Sequence, residues 1–172
     1  MDEYGFVLNF TLPPGAESPD ALIDALFEAG CDDATIGVGM HGMIGLDFTR
    51  AASSAEDAIR SAVRDVSRAI PGAKLVQVGP DLVGLTDMAR IFGFTRQNMR
   101  KYAVGMTAGK AAFPIPTHMG EPSLWHLAEI VAWLRENTSL QPADEVLEVA
   151  KAAAALNFET ECRRIERISA LT

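Results

Sequence analysis

Leu85-Thr86-Asp87-Met88-Ala89-Arg90-Ile91-Phe92-Gly93-Phe94-Thr95-Arg96-Gln97-Asn98-Met99-Arg100-Lys101-Tyr102 is the stretch that organises the rest of the chain. Thr86 is a good helix-capping residue, and Asp87 follows where the positive end of a helix dipole favours an anion. Gly93 breaks the pattern with a residue that adopts positive φ at little cost. Thr95 then caps a second helix. Ala89 is small, as two helices crossing beside a three- to four-residue turn require. The stretch predicts a helix-turn-helix.

On a wheel of about 100° per residue, Thr95, Met99, Tyr102 and Ala103 fall together and are expected to face a core. Arg96, Gln97, Arg100 and Lys101 take the opposite arc, with Asn98 at its edge. That arc holds the side chains that pair with base edges, Arg with guanine and Asn or Gln with adenine, along with cations for phosphates. A solvated charged helix in an all-α subdomain is the bland alternative. The caps, the turn glycine, the small crossing residue and the paired faces together weigh against it.

Charge distribution agrees. The 172-residue chain has a formal charge of −8, which argues against unspecific attraction to nucleic acid over its whole surface. Residues 81–120 hold five bases (Arg90, Arg96, Arg100, Lys101, Lys110) against Asp81 and Asp87, a net of +3 that leaves −11 for the remainder. A basic island in an acidic body is a local footprint for nucleic acid.

Upstream, the first eighty residues alternate regularly. Gly5–Leu12 reads as a strand ended by Pro13-Pro14-Gly15. A helix follows, capped by Ser18 with Pro19 in its first turn and striped by Leu22, Leu26 and Phe27. Ala34–Met40 and Met43–Thr49 read as a hairpin around His41-Gly42. Ser53 with Glu56 forms a capping box for a helix striped by Ile59, Val63, Val66 and Ile70. Pro71-Gly72 ends it, and Ala73–Val78 is a fourth strand. The order βαββαβ is the ferredoxin-like pattern, and the fold class is α+β. Gly79-Pro80 marks a boundary. Downstream, a helix is expected from about Ser123 to Asn137, and another opens at Pro142 and reaches about Ile168.

The sequence past the basic helix resembles the winged helix-turn-helix of the MerR-like and phage-excisionase class, including short prophage regulators. The matching pieces are Thr86-x-x-Ala89-x-x-x-Gly93-Phe94-Thr95-Arg96-Gln97-x-Met99-x-x-Tyr102, then Phe113-Pro114-x-Pro116, then Leu124-Trp125-x-x-x-Glu129-Ile130-x-x-Trp133-Leu134. The resemblance covers residues 82–135. It implies that the Phe-Pro-x-Pro stretch starts a β-wing and that the Trp-containing run begins a helix packed on the motif. The wing tip departs from the family's basic pattern, reading Met119-Gly120-Glu121-Pro122. Lys110 and His118 are the expected substitutes for the missing wing cations.

Other signals were weighed and set aside. Gly37-x-Gly39-x-x-Gly42 matches a dinucleotide-binding string, but strand-like alternation follows it where a helix is required. Asp32-Asp33 suits a turn and has no further metal ligands at useful spacing. His41, His118 and His126 form no nucleophile–base grouping. Trp125 and Trp133 read as core residues on one helical face, not as base-stacking platforms. No enzyme, metal or cofactor is expected. Cys31 and Cys162 read as free buried thiols of a reducing cytoplasm. The acidic start, Met1-Asp2-Glu3, is unlike a secretory signal, and no apolar run approaches a membrane span.

The expectation is therefore a cytoplasmic transcriptional regulator. Residues 1–79 form a ferredoxin-like domain, 80–137 a winged helix-turn-helix, and 138–172 a C-terminal helix that packs or dimerises. Helix 95–102 reads the major groove of double-stranded DNA. The site residues are Thr95, Arg96, Gln97, Asn98, Arg100, Lys101, Lys110 and His118. A homodimer is expected because one small module buries only about 600–1,000 Å² on DNA. The competing readings are a small-molecule sensor, with an effector bound on the βαββαβ module, and a protein-interaction adaptor.

Overall fold

The computed structural model describes residues 1–16, 19–37, 41–105 and 108–171. Strands β1 (Asp2–Thr11), β2 (Ala34–Gly37), β3 (Met43–Ala52) and β4 (Lys74–Gly79) form an antiparallel sheet in the order β2-β3-β1-β4. Helices α1 (Pro19–Glu28) and α2 (Ala55–Ala69) connect them in a βαββαβ succession. The expected Ser18 cap, the far end of the Ala34–Met40 run and Gly39 lie outside the described residues.

Side chains alternate across a strand with period two. Tyr4, Phe6, Leu8 and Phe10 accordingly line one face of β1, and all four are buried. The register sets Phe6 against Phe48, Leu8 against Leu46 and Phe10 against Ile44, so β3 buries the same face. The Phe6 and Phe48 rings stack at 5.3 Å. From α2, Ala58, Ile59, Ala62 and Val66 close the core from above. Its cap is Ser54, whose side chain accepts from the Asp57 N–H, while Ser53 donates to the Asp57 carboxylate. The expected Ser53–Glu56 box is thus displaced by one residue.

Arg50 joins this core at 8% exposure. A buried guanidinium has to be paired and hydrogen-bonded, and this one donates to Asp33 at 2.6 and 3.0 Å, to Asp65 at 2.8 Å and to the Gly30 carbonyl at 3.0 Å. Asp33 therefore serves its turn as a counterion that ties α1, β3 and α2 together.

The remaining elements are β5 (Leu82–Val83), α3 (Leu85–Phe92), α4 (Arg96–Ala103), β6 (Trp125–His126), α5 (Leu127–Asn137) and α6 (Asp144–Ser169). β5 and β6 pair antiparallel. A second core gathers Met88, Met99, Leu127, Ile130, Val131 and Leu134. Two expectations change here. Residues 125–126 are spent on the strand pair, so α5 starts at Leu127, not Ser123. Residues 111–116 form no strand. Phe113 is instead wedged edge-on between Trp125 and Trp133, and the two indole N–H groups donate to the Pro114 and Ala111 carbonyls. Both tryptophans are core residues, but only Trp133 stands on a helix.

α6 belongs to both cores. Val149, Ala153 and Leu156 join the sheet core, where α6 lies against β1 and β4 beside α2, while Ala150 packs against the second cluster. Beyond Leu156 the helix adds no further buried apolar residue among those described, and Cys162, expected to be buried, is exposed. No helix among the described residues is long and apolar enough to cross a membrane.

Candidate nucleic-acid interface

α3 is capped two residues earlier than Thr86 suggested. Gly84 is the N-cap, and its N–H donates to the Asp87 carboxylate at 3.1 Å. Asp87 thus satisfies one of the free amides at the positive helix end. Gly93 ends α3 at φ +70°, with its N–H on the Ala89 carbonyl. A Cβ at Gly93 would meet nothing within 4 Å. What the position needs is the left-handed backbone, not space. Thr95 then caps α4, its hydroxyl accepting from the Asn98 N–H at 3.1 Å.

Two helices joined by so short a turn must cross closely, and the contact is made by Met88, Ala89 and Met99, all buried. Tyr102 is half-buried between Phe94, at 6.3 Å, and Trp133, at 5.2 Å. Ala103 is half-buried as well. Thr95 departs from the wheel: it is exposed, because as the cap it precedes the helical turn that would have carried it inward.

Arg96, Gln97, Arg100 and Lys101 are exposed, and Asn98 is half-buried at the edge of their arc. None of the three cations has a carboxylate partner among the described residues; Arg90, by contrast, is drawn to Asp87 at 3.4 Å. A helix that turns one face into a core and leaves three unpaired cations and an amide on the other can hydrogen-bond base edges and phosphate oxygens.

Lys110 and His118 lie apart from this arc. The Lys110 ammonium donates to the Asn137 carbonyl at the end of α5 and sits 5.8 Å from the Tyr102 ring centre. It locks the loop after α4 onto α5. His118 and Leu124 exchange backbone hydrogen bonds at 3.1 and 3.0 Å, extending the β5–β6 pair into a short hairpin. Its tip exposes Met119 and Glu121. The His118 ring folds against Gly120, where a Cβ would collide with it.

A junction escaped the sequence reading. Asp81 is only 4% exposed. Its carboxylate accepts from Asn157 at 2.8 Å and lies 2.7 Å from His126 Nδ1. The Asn157 amide also takes both backbone groups of Val78, each at 2.8 Å, and so caps the edge strand β4. Sheet, hairpin and α6 meet at these three side chains. Their separations of 45 and 76 residues leave no local signal.

No family model, curated protein or solved structure matches the chain.

Proposed function

We propose that the protein is a sequence-specific DNA-binding transcriptional regulator, built as a ferredoxin-like βαββαβ domain followed by a winged helix-turn-helix. The observation that carries this reading is the outward face of α4, where Arg96, Gln97, Arg100 and Lys101 are exposed opposite buried Met99. α4 enters the major groove, Arg96 and Gln97 reach base edges, and Lys101 holds phosphate. Glu121 at the hairpin tip repels phosphate, so the wing supplies shape and little attraction. The regulator acts in the cytoplasm as a homodimer reading two half-sites about 34–36 Å apart, or a multiple of that spacing.

The test is selection of bound sequences from a random DNA pool, followed by mobility assays over a salt series. Arg96→Ala and Gln97→Ala each relax base preference and cost about 1–3 kcal/mol of specific binding. Lys101→Ala weakens all sequences alike and flattens the salt slope by about one unit. Three variants that bind the selected site like the parent sink the assignment, and a pool that yields no enriched sequence favours the adaptor reading.

A further inference from the structure

We infer that the groove between α2, the start of β4 and the outer half of α6 is a binding site for a small organic anion with an extended apolar body. The groove encloses about 750 Å³, within the usual range of about 300–1,000 Å³ for ligand sites. Its floor is apolar: Phe10, Val63, Leu75 and Leu156 lie along it where α6 begins to leave the sheet core. Such a floor gains by excluding water, and it selects for hydrocarbon, not for a hydrated ion.

The rim sets the sign of the head group. Five cations (Arg60, Lys74, Arg163, Arg164, Arg167) line the groove against two carboxylates, Glu159 and Glu166. That is a net of +3 in a chain of −8. Internal pairs occupy most of it: Arg60 binds Glu56 and Glu159, Arg163 lies 3.8 Å from Glu159, and Arg164 lies 3.4 Å from Glu161. Lys74 and Arg167 have no carboxylate partner among the described residues. They are the groups left to bind an incoming carboxylate or phosphate, one from the strand and one from the last turn of α6. A cationic amphiphile meets the same floor but the wrong rim. This site is separate from α4 and stands whether or not α4 binds DNA.

The probe is decanoate below its micellar concentration, titrated calorimetrically into the full chain beside decyltrimethylammonium and acetate. Decanoate binds at least tenfold more tightly than either, and added salt weakens it without abolishing it, since screening acts on the head group alone. The double variant Lys74→Glu/Arg167→Glu, changed only at the rim, loses that preference at least tenfold. Ser67→Trp, on the α2 wall, blocks the groove with the rim charges intact and removes binding; circular dichroism shows that both variants stay folded. Equal affinity for the cationic and anionic chains overturns the proposal, as does undiminished decanoate binding in both variants. Flotation with anionic phospholipid vesicles, without binding of free decanoate, also overturns it and identifies the patch as a membrane-surface contact.

Discussion

Cys31 is 2% exposed, and burial pushes its thiol up to about 11 from an ordinary 9.0. Cys162 stands exposed on the outer half of α6. A chromogenic disulfide reagent at pH 8 is therefore expected to titrate one thiol quickly and the second only on unfolding, because the thiolate is the nucleophile. The same burial predicts a pH effect. Between pH 9 and 11 the unfolded thiol has lost its proton while the folded one keeps it, so stability is full below pH 9 and falls as pH rises to 11. Tyr4, pushed up to about 12 by burial and by the Glu148 carboxylate it donates to, extends the fall to higher pH. Thermal melts of the parent and Cys31→Ala across pH 8–11 check this, the variant losing the earlier part of the decline. Two thiols equally reactive in the folded protein would contradict it. Sequence pattern could not separate these cysteines. Cys31 follows the turn at Gly30 and is covered by the sheet core, whereas Cys162 lies on α6 among exposed neighbours.

α4 was legible in sequence because everything that places it is local: Thr95 caps it, Gly93 precedes it, and Met99 and Tyr102 recur at helical spacing. Burial of Met99 is then a statement about the helix's rotation. Met99→Ala should cost about 2–5 kcal/mol through the cavity it leaves, read as a lowered denaturation midpoint with an unchanged slope. A midpoint equal to the parent's would mean the helix is turned, and Arg96 and Gln97 with it. The start of α5 was misread for the opposite reason. Trp125 pairs with Val83, and that distant strand partner overrides a local pattern that continues helically back to Ser123. Lys110 also makes a contact that local pattern did not show. Its sign suits DNA, but the free carbonyl at the end of α5 lies nearer, and such orphan carbonyls attract cations.

At the scale of the whole molecule, the joining of the two cores was not legible, because small residues on α6 gave no hint that they serve both. The outer half of α6 carries the dimer prediction. Phe158, Ile165 and Ile168 are 72%, 53% and 55% exposed and fall within one arc of the helix, on the side away from the groove between α2, β4 and α6. Sedimentation at tens of micromolar should give a dimer for the full chain and a monomer for Phe158→Glu/Ile165→Glu. A monomeric parent would defeat the claim, and a dimeric variant would move the interface to the sheet. Truncation before α6 is no substitute, since it removes Val149, Ala153 and Leu156 from the sheet core. That last feature bears on how the chain is born. Residues 2–79 leave the ribosome before residues 80–172, and synthesis proceeds at about 5–20 residues per second. The segment that completes their cover, α6, arrives only after α3, α4 and α5 have been made. The nascent sheet spends that interval with part of its Tyr4–Phe10 face open, so the protein's exposure to misassembly is set by the lag between its first strand and its last helix.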